Sequence, residues 1–274
     1  NVFTATAENW DAYVLIDCEG AIDEGGNEAN NSLGCSIHWL LYENYEVSEA
    51  NRPWSGYWWA FWDGVVSPLY NLYDPGTTFE KYDELVYGEN KAQAWELANH
   101  YLPIGTSEPL WQGHCNGWAA SATNENEPNS SIGSFSIGDL KGLLAEIWQD
   151  CQKQDWYDVN TILPGTFVSA LQQTIRNQNS PVIADLAYNS NPQLDEVWNY
   201  PVFAYELSCE LISGDNFDCT CIISCADDDV NPSYVGMQQF EKTYTFEARI
   251  DYAGDARPST GSFNGNSSVD HPDI

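Results

Sequence analysis

The segment Trp111-Gln112-Gly113-His114-Cys115-Asn116-Gly117-Trp118-Ala119-Ala120-Ser121-Ala122 puts a cysteine where a glycine-containing turn gives way to small, helix-forming residues. A thiol at a helix N-terminus feels the positive end of the macrodipole, which favours the thiolate. Nucleophilic cysteines are commonly mounted this way. The same pattern also fits a buried structural or disulfide-bonded cysteine, and the residues alone leave both readings open. A working thiol needs a proton acceptor, and the chain has four histidines, at 38, 100, 114 and 271. His114 is adjacent to Cys115, but neighbouring helical residues do not face each other.

Several elements must hold such a site in place. Ala92, Ala94, Trp95 and Ala98 predict a helix over 91–100. Ser136-Ile137-Gly138-Asp139 is a capping box. The helix it opens, over 139–149, carries Leu140, Leu143, Leu144, Ile147 and Trp148 at helical spacing. That apolar face is expected to share a core with the helix starting at Cys115. A further helix is predicted over 165–176, with Phe167, Ala170, Leu171, Thr174 and Ile175 inward. Residues 13–16 and 181–188, the latter carrying Asp185, read as strands. So do 197–207, broken at Pro201, and 219–226 and 243–251, whose period-two alternation marks antiparallel pairing. The dense aromatic run Trp54, Tyr57, Trp58, Trp59, Phe61 and Trp62 fits a packing cluster, with a sugar-stacking platform as the functional alternative. The mixture is of the α+β class. It divides into an acidic N-terminal segment over 1–45, a core over 46–207 and a β-rich extension over 208–274.

Composition narrows the function classes. The 274 residues hold 9 basic and 41 acidic side chains, a net charge of −32. Phosphate recognition needs a basic face, so nucleic acid is excluded as a partner. No apolar window is long enough for a transmembrane helix, so no membrane insertion is expected. Clusters such as Asp227-Asp228-Asp229 fit a solvated acidic surface or calcium sites; no other cofactor is implied. Cysteines at 18, 35, 115, 151, 209, 219, 221 and 225 are even in number and lack zinc-finger spacing. They point to a disulfide-containing protein of an oxidising, extracellular compartment. Sequons at Asn30, Asn129 and Asn266 agree with a secreted glycoprotein. Local pairing of Cys18 with Cys35 is one expectation. If every cysteine is bridged, Cys115 is tied up too, with Cys151 as a candidate partner.

Taken in order, the segments resemble the transglutaminase elicitor family of oomycetes and bacteria. The matching pieces are Phe79-Glu80-Lys81-Tyr82-Asp83, Trp95-Glu96, residues 111–122, Asp139-Leu140-Lys141-Gly142-Leu143-Leu144, Pro164-Gly165-Thr166-Phe167, Val182-Ile183-Ala184-Asp185 and Glu196-Val197-Trp198-Asn199-Tyr200-Pro201. Ser268-Val269-Asp270-His271-Pro272-Asp273 closes the series. The resemblance runs from about residue 54 to the end. It implies a papain/transglutaminase-like cysteine core and acyl transfer from a glutamine carboxamide to a lysine amine, the reaction of a protein-glutamine gamma-glutamyltransferase. Cys115 falls on the nucleophile, Asp185 on the acid that orients the base, and Asn199 on a family asparagine.

The departure falls on the base. The histidine that the family pattern sets after the Phe of Pro-Gly-x-Phe is Val168 here, and valine cannot carry a proton. The sequence therefore implies a secreted transglutaminase-like pseudoenzyme that acts as a binding or structural module. Two alternatives remain: an active cysteine acyltransferase or protease with a non-standard histidine, and an extracellular assembly subunit whose aromatic and acidic surfaces meet a protein partner or a second copy.

Overall fold

Strict alternation in the last third of the chain builds the main sheet. Tyr205, Leu207 and Cys209, then Cys219, Cys221 and Ile223, then Tyr244, Phe246 and Ala248 are buried, while Ser208, Glu210, Asp218, Thr220, Thr245 and Glu247 between them are more exposed. The computed structural model describes residues 2–7, 10–19, 34–62, 71–103, 111–151, 162–187, 196–251 and 253–272. Among them, strands β1 (Val2–Ala7), β2 (Trp10–Glu19), β3 (Gly34–Glu46), β5 (Asn199–Ser213), β6 (Asn216–Ala226), β7 (Gln239–Arg249) and β8 (Ser262–Phe263) form one antiparallel sheet in the order β1-β2-β3-β5-β6-β7-β8. A short strand β4 (Val182–Asp185) pairs with the start of β5, continuing the line that β3 occupies along the rest of that edge. The segments 1–45 and 208–274 thus supply strands to one sheet.

Helices α1 (Thr78–Val86), α2 (Ala92–Asn99), α3 (Cys115–Asn124), α4 (Ile137–Glu146) and α5 (Pro164–Leu171) complete an α+β protein. α5 and its π-helical continuation Gln172–Asn177 cover the buried sheet face, where Phe167, Val168, Leu171 and Ile175 join the sheet core. A buried ion cluster pins this layer. Glu43 of β3 accepts from Arg176 at 2.8 Å, from the Tyr205 hydroxyl at 2.8 Å and from Gln172 at 3.2 Å. A second core gathers Trp54, Trp59, Leu72, Phe79 and Trp118 around α3. Of the six clustered aromatics, Trp54 and Trp59 are buried and Tyr57, Trp58, Phe61 and Trp62 are half-buried.

Three expectations change. Pro201 does not interrupt β5: at that level β5 carries only β4 beside it, because pairing to β6 starts at Val202, and proline is tolerated where a strand has a free edge. The leucine face of α4 is not its most buried face. Gly138, Lys141, Gly142, Ala145 and Glu146 are buried, Leu143 and Leu144 pack at the margin of the α3 core, and Ile147 is exposed. The reason is close helix approach: a Cβ at Gly117 of α3 would collide with the Ala145 carbonyl, so small residues, not leucines, define the contact. Lys141 is accommodated because all three of its protons are used, by the Ser55 and Tyr234 carbonyls at 2.8 Å each and by Glu127 at 2.6 Å, over the Trp54 ring. Finally, Cys115 is not bridged. Cys209 and Cys219 form a disulfide across β5 and β6, while Cys115, Cys221 and Cys225 keep free thiols. Cys18 lies opposite Cys35 in the β2–β3 register. The side chains of Cys18, Cys35 and Cys151 fall outside the described set, as does Asn30. Asn129 and Asn266 are exposed.

Candidate functional site

Cys115 is the first residue of α3, as the turn before it predicts. Facing it is the β4–β5 pair. Asp185 and Asn199 are register partners across those strands, and directly opposed residues of an antiparallel pair project to the same face. The Asn199 side-chain amide donates to the side-chain carbonyl oxygen of Asn116, the residue after Cys115. The Cys115 thiol points toward the Val197 carbonyl at 3.6 Å. Asp185 Oδ1 accepts from the Trp198 and Ala187 backbone N–H groups at 2.8 and 3.0 Å. The fold therefore brings the α3 cysteine, Asn199 and the strand bearing Asp185 to one place.

Val168 lies 1% exposed in the sheet core. Among the described residues no imidazole hydrogen-bonds the Cys115 sulfur, whose partner is the Val197 carbonyl. His114 and His100 turn away toward Glu146 and Glu96, at 2.6 and 2.8 Å, and His271 is buried with its ring stacked on Phe263. The side chain of His38 lies outside the described residues. Burial pushes the Cys115 thiol up to about 11; Asn199 opposes this, and the charge of Asp228 reinforces it. The helix dipole loses this contest. One helix end contributes about 0.3–1 kcal/mol, whereas each tenfold change in acidity is about 1.4 kcal/mol.

Sequence reasoning missed Asp228. It is buried in the loop after β6, and its Oδ2 has no hydrogen bond among the described residues. Burial, and then its neighbours Asp227 and Asp229, push its carboxyl up to about 7. The Asp227-Asp228-Asp229 run shows only charge; that its middle member is buried is a tertiary fact. Asp228 also lines a cavity of about 420 Å³ together with Trp58, Trp198, Tyr200, Phe240 and Lys242. Trp58 and Trp198 meet edge to face at 5.4 Å in its wall. Cys115, 4% exposed, is not part of that lining.

No family model, no curated protein and no solved structure matches this chain.

Proposed function

We propose that the chain is a transglutaminase-elicitor-like domain with a papain-type cysteine core, that it no longer catalyses acyl transfer, and that it acts as a secreted binding or structural module. One observation carries the reading: the thiol on the nucleophile position is buried, protonated at neutral pH and has no imidazole partner among the described residues. A thiolate must form before a carboxamide can be attacked, and the base that took its proton must then, as a general acid, protonate the leaving ammonia. Asp185 supports the ancestry, since it lies opposite Asn199 in the β4–β5 register and accepts from the Ala187 and Trp198 backbone N–H groups. The aromatic cavity beside the silent thiol supplies the binding role.

The test is incorporation of a labelled amine into a glutamine peptide, comparing the wild type with Cys115→Ala. Both should stay at the uncatalysed background. Incorporation by the wild type that disappears in Cys115→Ala would sink the proposal. A second reading has one specific observation behind it, the Asp228 carboxyl at about 7 near Cys115. In that reading an active acyltransferase uses a carboxylate as its base, and its rate would rise with pH near 7 and vanish in Asp228→Asn.

A further inference from the structure

α2, the residue capping α3 and the end of α4 converge on a buried group of two imidazoles and two carboxylates. Glu96 and His100 lie four apart on α2 and so share a face. His114 caps α3, and Glu146 ends α4. One ligand atom from each lies within 4.8 Å of all the others. We propose that Glu96, His100, His114 and Glu146 form a closed structural site for a first-row divalent metal ion, with zinc the best match.

The donor geometry argues for an ion at the centre. His114 Nδ1 stands 3.0 Å from the Trp59 carbonyl, which can only accept, so Nδ1 carries the proton. In the neutral ring the lone pair of Nε2 then points inward, toward Glu146 Oε2 at 2.6 Å and Glu96 Oε1 at 3.5 Å. Metal-bound histidines typically have their outer N–H anchored in this way. His100 repeats the arrangement: Nδ1 faces Glu96 and Glu146 at 2.8 and 3.7 Å, and Nε2 faces the Asp150 carboxylate at 3.5 Å. The anchoring carbonyl is itself held unusually, since Trp59 sits at φ 37°, where bulky residues are seldom found.

The second, independent observation is Glu96 Oε1. Its side chain is 1% exposed, and this oxygen accepts no hydrogen bond among the described residues. A buried carboxylate oxygen without a donor is costly; a metal ion would satisfy it. Two glutamates also match the charge of one divalent cation, leaving a neutral cluster beneath Phe61, whose ring stacks on His100 at 4.5 Å and meets His114 edge-on at 4.8 Å. Metal–ligand bonds of about 2.0–2.2 Å in a tetrahedron separate ligand atoms by roughly 3.3–3.6 Å. The observed 3.5 and 3.7 Å separations are close to this, and the 2.6 Å pair needs only a small side-chain rotation. Calcium and magnesium fit poorly, because they prefer six or more oxygens. This site is independent of the proposal for Cys115.

The experiment uses the full chain, stripped with a chelator, desalted, and titrated with Zn²⁺ or Co²⁺. The expected result is about one ion per chain in a closed four-ligand site, a raised melting temperature, and the intense visible absorption of tetrahedral Co²⁺. His100→Ala and Glu96→Gln should each weaken binding at least about tenfold. If a variant does not fold, the wild-type stoichiometry and cobalt spectrum still decide. Absence of retained metal with an unchanged melting temperature would overturn the proposal in favour of an all-protein imidazolium–carboxylate knot. Metal that binds without the tetrahedral spectrum, or that persists undiminished in a folded His100→Ala, would overturn it in favour of surface carboxylates.

Discussion

Cys115 holds its proton because burial outweighs the helix end, and this makes a kinetic prediction. With the thiol at about 11, its thiolate fraction at neutral pH is roughly a hundredfold below that of an exposed cysteine. Alkylation of native protein should be slow, and should accelerate at least that much on denaturation, with Cys115, Cys221 and Cys225 labelled without reductant and Cys209 and Cys219 not. Rapid native labelling at 115 would contradict the buried thiol. Asp228 gives a pH prediction. Its folded value, about 7, lies above the ordinary aspartate value of about 3.9. The native state therefore binds its proton more tightly, and the stabilisation is complete below pH ~4 and lost as pH rises through ~7. Asp228→Asn should stabilise the protein by one to a few kcal/mol above pH ~8 relative to its effect near pH 5. Denaturant melts at the two pH values give the comparison; equal shifts would refute it. Val168→His would bury an imidazole in an apolar core. A loss of about 1–3 kcal/mol is expected, with no gain in amine incorporation. A stable, active Val168→His protein would show that position 168 still reaches the thiol.

Among the elements, α4 depends on polar contacts more than its leucines imply. Ser136 and Asp139 close a capping box, and Asp139 also accepts from Thr78 and Lys81, at 3.0 and 2.6 Å, linking α4 to α1. Lys141 then ties α4 to the loops at Ser55 and Tyr234. Lys141→Met keeps the aliphatic stem but leaves the Ser55 and Tyr234 carbonyls without this donor and Glu127 without its cation, with only the Gly236 N–H still donating to it. Removing one partner of a buried ion pair costs about 3–5 kcal/mol. Chemical denaturation should report a loss in that range; a loss below about 1 kcal/mol, typical of an exposed pair, would mean that the network is solvated in solution.

Across the whole molecule, charge is the dominant fact. Nine basic residues cannot pair forty-one acids, and several of them are already committed: Arg176 to Glu43 and Asp255, Lys141 to Glu127, Lys242 to Asp270. The remaining carboxylates repel one another and oppose the compact state. The melting temperature should therefore rise from low salt to ~1 M, where the Debye length falls to about 3 Å. A flat profile would show that the acids are too dispersed to interact. No described helix is long and apolar enough to cross a membrane.

What the amino-acid order determined by itself was local. The period-two runs at 219–226 and 243–251, the capping box at Ser136 and the glycine turn before Cys115 each depend on neighbours a few residues away, and each became the expected element. Asp185 and Asn199 were each singled out by the resemblance, but that they stand opposite each other is a fact of the β4–β5 register. Long-range facts were not legible. The sequence could not show that α3 and α4 approach through Gly117 and Ala145, because close helix contact depends on small residues 28 apart. Nor could it show that burial would silence Cys115, since desolvation is a property of the whole surround. Glu96 and His100 at helical spacing were the one readable half of the buried imidazole–carboxylate cluster. His114 and Glu146 join it only because three helices converge, and a tertiary fold is what turns distant carboxylates and imidazoles into neighbours.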